Sequence, residues 1–279
     1  MLAPADDCHS PFVAGAHRPT KANHPHREVI PMKRIVLIAV LLAFAVGLKS
    51  AHAGGRGFNA EFTNCSEFAG WGPVANTPLA KSLVPAKFTT LLESGQATIV
   101  IRASSCEGVS INGSKPVPTT LSHIGIGVVS PDGSGTINNY TLVYLTNNPE
   151  LAESFQHAGM PAIFDPTLAY EYSGTETTGG SLYVGASAPW LSPYFLAGTE
   201  QAATGPQLFI ANWWYLGQEG VIKQQTTFPA IAFGAADVIF HTSENSLVGK
   251  LIGGNADANF PYFNARGAYT TAQMVVTVE

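Results

Sequence analysis

His123 is the residue whose surroundings most favour chemistry. It begins a predicted strand, 123–129, in which side chains alternate between two faces, so His123 shares a face with Gly125 and Gly127. Two glycines leave open space beside the ring, as a cavity wall or a closely approaching backbone requires. An imidazole with an ordinary pKa of about 6.5 can serve as a general acid or base at neutral pH. A histidine satisfied within the packed core is the alternative interpretation.

Arg102 and Glu107 join His123 as candidate catalytic residues. Arg102 lies in the apolar segment 96–103 (QATIVIRA), which has the composition of a strand. A buried guanidinium needs a carboxylate, which either Glu107 or a substrate could supply. Glu107 follows Cys106. A disulfide at Cys106 would restrain the backbone beside Glu107, from where the carboxylate could face the mouth of a cavity. The alternatives are a structural ion pair for Arg102 and a solvated side chain for Glu107.

Four tyrosines are candidate substrate-binding residues. They form two pairs with even spacing, Tyr140 with Tyr144 and Tyr170 with Tyr172, and even spacing places both members on one side of a strand. If that side faces a cavity, the rings form an apolar wall whose hydroxyls can orient a phenol or a carboxylate. The alternative is ordinary packing in the core.

Cys65 and Cys106 are the two cysteines that follow residue 53, the end of the secretory signal peptide predicted below. We predict that they form a disulfide, because an exported chain folds in an oxidising compartment. A catalytic thiol paired with His123 or His157 is the competing interpretation.

No metal site or other cofactor is predicted. The histidines after residue 53 are His123, His157 and His241, and no local spacing pairs any two of them, as a zinc site would need. Known signatures for phosphate loops, serine nucleophiles, zinc peptidases and EF-hands do not occur in the sequence.

The segment 32–53 has the three parts of a secretory signal peptide. Met32-Lys33-Arg34 gives a positive start, Ile35 to Leu48 is uncharged and apolar, and Ala51-His52-Ala53 fits the small-x-small cleavage pattern. A buried core helix is the alternative. We therefore expect a secreted or periplasmic protein, with residues 1–31 an upstream segment outside the native fold and 54–279 a single domain.

The charge of the predicted mature chain argues against nucleic-acid binding. Residues 54–279 carry eight Lys and Arg against sixteen Asp and Glu, a net charge of −8 with neutral histidines. No second apolar run reaches the length of a membrane span, so no membrane association is expected after cleavage. We expect a small-molecule ligand or substrate as the partner, and the sequence leaves the oligomeric state open.

Strands outnumber helices in the pattern, which indicates a β-rich α+β domain. Helices are predicted over Leu79–Leu83, after Asn148 and Pro149, and from Ser246 to Ile252, each with a capping residue. A hairpin is predicted between 207–216 and 221–228, with a separate strand over 231–241. The Gly-rich and aromatic stretch 54–72 is predicted to be irregular.

Several of these pieces, taken in order, resemble the acetoacetate decarboxylase-like superfamily. They are the helix and Val-Pro of 79–85 (LAKSLVP), the strand and capped helix of 140–150, Gly159-Met160-Pro161-Ala162, the strands of 168–186 and the helix near Ser246. The resemblance covers 79–253 and rests on the order of short motifs. It implies a partly open, cone-shaped β-barrel with an apolar cavity.

Two departures from the family pattern concern its chemistry. Ala162 stands where the decarboxylases have the lysine that forms a Schiff base, and no lysine occurs between Lys115 and Lys223. His123 stands where the resemblance places a catalytic glutamate. A Schiff base needs an amine, so we expect no amine-catalysed decarboxylation.

Two hypotheses of function follow. The first is an exported, cofactor-free lyase or decarboxylase-like enzyme that acts on a small organic or aromatic acid without a Schiff base. Loss of CO₂ would then need another electron sink, such as a para-hydroxyl aromatic ring. The second is a secreted, non-catalytic binding protein that holds a small apolar ligand in the barrel.

Overall fold

The computed structural model describes residues 56–172, 180–184, 194–203, 205–253, 257–259 and 263–279. The predicted upstream segment 1–31 and signal peptide 32–53 lie outside these residues. Within the described ranges, no helix is both long and apolar enough to cross a membrane.

Strands dominate the described part of the chain, as the sequence predicts. The strands are β1 Phe58–Pro73, β2 Leu92–Glu93, β3 Gln96–Ile111, β4 Val117–Gly127, β5 Ile137–Thr146, β6 Ala162–Phe164, β7 Ala169–Tyr172, β8 Gly180–Val184, β9 Tyr194–Ala203, β10 Gln207–Leu216, β11 Val221–Thr242, β12 Asp257–Asn259 and β13 Phe263–Val278. The helices are α1 Thr77–Leu83, α2 Pro149–Ala158 and α3 Leu247–Leu251.

Seven strands close into a barrel. Their order is β10, β5, β4, β3, β1, β13 and β11, and β11 pairs with β10 to complete the ring. Neighbours in the ring are antiparallel except β5 and β10. The predicted β-rich α+β barrel is confirmed, and its sheet closes where the resemblance implies a partly open one. Beyond the ring, β11 also pairs with β9, β9 pairs with β8, and β8 pairs with β7.

Alternation along each strand separates the barrel interior from an outer apolar layer. On β3, Val100 and Arg102 face the interior, whereas Ile99 and Ile101 are fully buried in a cluster outside the barrel. That outer cluster also contains Ala80 of α1 and residues of α3. The helices α1 and α3 thus cover the outer face of the barrel wall, whereas α2 packs against the other cluster.

The predicted caps fix the short helices. Asn76 accepts a hydrogen bond from the Leu79 amide at the start of α1, and Asn148 does the same for the Leu151 amide in α2. Gly159 ends α2 with a φ of 96°, the left-handed conformation that favours glycine. Phe155 of α2 then packs against interior rings.

Two predicted features differ from the structure. The stretch predicted to be irregular, 54–72, contains all but the last residue of β1, a central strand of sixteen residues that pairs with both β3 and β13. Gly and aromatic residues hid its alternation, which the burial pattern shows from Phe58 onward. The strands predicted over 221–228 and 231–241 form one continuous strand, β11.

The predicted disulfide is confirmed. Cys65 of β1 lies opposite Cys106 of β3, with the Cα atoms 4.1 Å apart and an S–S distance of 2.03 Å. The alternative of a catalytic thiol is wrong, because neither sulfur is free.

The disulfide closes a loop with a sequence separation of 41. Loop closure of that size restricts the unfolded chain, so we expect the Cys65→Ala/Cys106→Ala variant to lose roughly 4 kcal/mol of unfolding free energy. Urea unfolding of the variant and the parent chain measures the difference. Equal unfolding free energies would contradict this prediction.

Candidate functional site

A cavity of about 530 Å³ occupies the barrel interior. Glu67 and Arg102 are the charged residues at its inner part, and Glu93 lines it near the exposed residue Val129. Most of its wall is apolar and includes five aromatic side chains: Trp71, Phe209, Trp213, Phe228 and Phe233. A concave, mostly apolar space with few polar groups is the usual form of a small-molecule site.

Arg102 and Glu67 form an ion pair inside the barrel. Arg102 Nη2 lies 3.1 Å from Glu67 Oε2, and the two side chains are only 9% and 7% exposed. Ser104 links them, since its hydroxyl donates to Glu67 Oε2 at 2.8 Å and accepts from Arg102 Nη2 at 3.2 Å. Burial alone would lower the pKa of Arg102, but the charge of Glu67 raises it above the ordinary value. The site therefore contains a fixed cation.

The carboxylate that pairs with Arg102 is Glu67, not Glu107. Glu107 is exposed, and its Oε2 accepts a hydrogen bond from Asn64 Nδ2 at 2.7 Å. It lines a separate groove of about 930 Å³ beside the disulfide. Glu67 is absent from the predicted site because it lies on β1, in the stretch predicted to be irregular.

His123 is fully buried and lies behind the cavity wall. It pairs with Arg102 across β3 and β4, and its Nε2 hydrogen-bonds Thr141 Oγ1 at 2.9 Å. The Trp213 ring stacks on the imidazole with centroids 3.5 Å apart. Burial, and then the charge of Arg102, lower the pKa of His123 well below its ordinary value. The expectation of an ordinary pKa is therefore wrong, and the imidazole is neutral.

The open space expected beside His123 is filled by Trp213. A Cβ built on Gly125 would lie 2.7 Å from the Trp213 ring and 2.6 Å from the Tyr140 carbonyl oxygen. The glycine therefore serves a close approach, one of the two alternatives that the sequence left open. Trp213 lines the cavity and separates it from the imidazole.

Tyr140 and Tyr144 do not share a face. The register of β4 with β5 shifts between Ile124 and Gly125, and this bulge reverses the alternation between the two tyrosines. Tyr144 lies inside the barrel, with its ring 4.9 Å from His123, and burial raises its pKa. Tyr140 packs outside against Phe88, and burial raises its pKa to about 12.

The second tyrosine pair lies away from the cavity. Tyr170 stacks on Phe68 outside the barrel, its hydroxyl lies 3.2 Å from Ser66 Oγ, and it lines the groove beside the disulfide with Glu107. The side chain of Tyr172 lies outside the described residues. Of the predicted residues, the structure thus brings Arg102, His123 and Tyr144 together in the barrel.

Several polar atoms of the barrel interior are buried without a hydrogen-bond partner among the described residues. Four belong to side chains that line the cavity: Thr98 Oγ1, Arg102 Nε, Asn139 Nδ2 and Trp213 Nε1. His123 Nδ1, Tyr144 Oη and Gln224 Oε1 belong to side chains that do not line it. Unpaired buried polar atoms are costly and rare in folded proteins, so the barrel interior contains more of them than ordinary packing favours.

A metal site is not visible in the described ranges, where no three His, Cys, Asp or Glu side chains are grouped closely enough to hold an ion.

Because His123 is neutral in the folded chain, we predict that the unfolding free energy depends on pH. Below about pH 6.5 the imidazole takes up a proton in the unfolded chain, whereas burial keeps it neutral in the folded chain. The unfolding free energy therefore decreases as the pH is lowered, by up to about 1.4 kcal/mol per pH unit. His123→Asn should remove this part of the slope, and His157→Asn, on the exposed face of α2, should keep it. Urea unfolding between pH 5 and 7.5 measures the slopes.

A second readout needs no variant. Long-range ¹H–¹⁵N spectra of the parent chain should show a neutral His123 imidazole at pH 5.5. A protonated ring there would contradict the account.

The close contact between Gly125 and Trp213 predicts that a larger side chain at position 125 destabilises the barrel. Gly125→Ala forces Trp213 away from His123, and we expect a loss of roughly 1–3 kcal/mol and altered tryptophan fluorescence, as overpacking causes. The control is Gly205→Ala, since a Cβ there meets nothing within 4 Å. Equal unfolding free energies for the two variants would contradict the prediction that a Cβ at position 125 displaces Trp213.

The comparisons with known proteins bear on the scaffold. The sequence matches no protein-family model and no curated protein. Among solved structures, the enduracididine biosynthesis enzyme MppR complexed with pyruvate is similar, with 12% identity, a TM-score of 0.51, and coverage of 82% of this chain and 91% of that one. An acetoacetate decarboxylase has 10% identity and a TM-score of 0.51, with 78% and 87% covered. The scaffold of this chain is therefore acetoacetate decarboxylase-like.

Proposed function

We propose that this chain is an exported, cofactor-free lyase or decarboxylase-like enzyme that acts on a small organic or aromatic acid without a Schiff base. The observation that carries the proposal is the buried Arg102, held by Glu67 and Ser104 at the inner part of an otherwise apolar cavity. A fixed guanidinium in such a space is suited to orient a carboxylate.

The unpaired polar atoms support an acidic ligand. Arg102 Nε and Trp213 Nε1 are both N–H donors, and each belongs to a side chain that lines the cavity. Donors are complementary to an acceptor-rich group, and a carboxylate offers two acceptor oxygens. The similar enzyme MppR is described in a complex with pyruvate, a small organic acid, which supports the same class of ligand here.

The position of Ala162 supports chemistry without a Schiff base. Ala162 is buried on β6 and pairs with Tyr144 of β5, so the position that resembles the family's lysine lies beside the barrel interior. No lysine is among the described residues that line the cavity. An amine-bound intermediate has no group on which to form there.

Loss of CO₂ would follow a simple balance. The bond between the carboxyl carbon and its neighbour breaks, CO₂ leaves, and the electron pair stays on the remaining carbon framework until a proton taken from solvent replaces the carboxyl group. Without a Schiff base, the substrate itself must delocalise that pair, through a carbonyl or a conjugated para-hydroxyl ring. Arg102 orients the acid, and the aromatic wall excludes water.

The location proposed for this activity is outside the cytoplasm. The Cys65–Cys106 disulfide supports an oxidising compartment. The signal peptide over 32–53 remains a prediction from the sequence.

The test compares the parent chain with a variant that removes both charges, Glu67→Gln/Arg102→Gln, so that neither partner is left buried and unpaired. Calorimetry with pyruvate and benzoate should show at least tenfold weaker binding to the variant, since a hydrogen bond to a charged group contributes about 1.5–3 kcal/mol. The matched control is Arg56→Gln/Glu219→Gln, an exposed ion pair, which should bind as the parent does.

Turnover is measured on the parent chain with ¹³C-carboxyl-labelled 2-oxo, 3-oxo and hydroxyaryl acids. Release of ¹³CO₂ from one of them is the expected result. Equal binding by the charge-free variant would contradict the role of Arg102. Binding without any turnover would contradict the enzymatic proposal and favour a small-ligand binding protein.

A further inference from the structure

Thr98 and Asn139 form a second polar position in the cavity wall. They lie on β3 and β5, on either side of Gly127 of β4, which pairs with Asn139. Thr98 Oγ1 occupies the space above that glycine, since a Cβ there would lie 2.2 Å from it. The two side chains are 0% and 2% exposed, and Thr98 Oγ1 and Asn139 Nδ2 have no partner among the described residues.

This position is well separated from Arg102. Thr98 and Arg102 lie four residues apart on the same face of β3, which corresponds to about 13 Å along a strand. Val100 lies between them and lines the same cavity. The cavity thus has a cation at one level and a neutral hydroxyl and amide at the other.

The wall between the two levels is aromatic. Trp71 pairs with Val100 across β1 and β3, and Trp213 pairs with Asn139 across β10 and β5. Phe209, Phe228 and Phe233 complete the set. Flat rings packed around a narrow space favour a flat, aromatic ligand over an aliphatic chain.

From these observations we infer that the ligand is an elongated aryl acid with a hydroxyl at the end opposite its carboxylate. The carboxylate binds at Arg102, the ring lies among the aromatic side chains, and the hydroxyl lies between Thr98 and Asn139. The Thr98 hydroxyl accepts the phenolic proton, and the Asn139 amide donates to the phenolic oxygen. This inference rests on the proposed function, whose substrate class it narrows.

The same arrangement disfavours a diacid. Neither Thr98 nor Asn139 can neutralise a second carboxylate, and the charged residue nearest the outer part of the cavity is Glu93, an acid. Desolvating an unpaired carboxylate is costly, so the outer group of the ligand is neutral.

The test uses the full chain and calorimetry with 4-hydroxycinnamate and cinnamate, which differ only in the hydroxyl. The parent chain should bind 4-hydroxycinnamate roughly five- to tenfold more tightly, as one or two neutral hydrogen bonds provide. In Thr98→Val, which keeps the side-chain shape and the Asn139 amide, that ratio should fall to about two- to threefold, because the phenolic proton loses its acceptor. Thr271→Val, an exposed position on β13, should keep the parent ratio.

Two further ligands separate this inference from the proposed function. 3-Cyclohexylpropanoate keeps the acid and loses the flat ring, and it should bind at least tenfold more weakly than cinnamate. 4-Hydroxycinnamamide keeps the hydroxyl and loses the charge, and it should also bind at least tenfold more weakly than the acid.

These measurements distinguish a failure of the inference from a failure of the proposed function. A ratio of one in the parent chain, or an unchanged ratio in Thr98→Val, overturns the inference while Arg102 can still bind acids. Equal binding of acid and amide overturns the proposed function at Arg102 even where the hydroxyl ratio holds. No binding of either acid to the parent chain overturns both.

Discussion

The ion pair between Arg102 and Glu67 is the interaction on which the interior of this barrel depends. Two charges inside a closed sheet lose most of their hydration, and only direct pairing with further hydrogen bonds compensates for that loss. Ser104 supplies the added hydrogen bonds, and the pairing of β1 with β3 places all three side chains on one face. The disulfide joins the same two strands one row further along, where it restrains their register. The wall around the cation is thus among the most constrained parts of the barrel.

A second constraint separates the polar interior into layers. Gly125 lets Trp213 approach β4 closely enough to stack on His123, and the stacked pair lies between the cavity and Tyr144. The neutral imidazole avoids a second positive charge beside Arg102, which is one cause of its lowered pKa. His123 therefore supports the position of Trp213, and its fit as a general acid at neutral pH is poor. Arg102 and Glu67 remain the charged groups that a ligand can meet.

Much of the scaffold follows from local patterns, and the site follows only in part. Asn76 and Asn148 cap their helices as their positions predict, and the apolar alternation of β3 places Arg102 inside the barrel. The partner of Arg102 could not be predicted, because Glu67 lies in a strand whose glycines and aromatic residues mask its period. The prediction that Tyr140 and Tyr144 share a face is wrong because of a single bulge, since a shift of one residue reverses the face to which the following side chains point. Pairing across strands, and not spacing along one, decides which side chains meet.

Both proposals depend on a carboxylate binding at Arg102 inside the barrel. A crystal structure of the chain in complex with 4-hydroxycinnamate tests it most directly. The carboxylate is expected within hydrogen-bond distance of the Arg102 guanidinium, with the ring against Trp213 and the aromatic wall. A ligand seated in the groove beside the disulfide, with Arg102 bound to Glu67 alone, would contradict it.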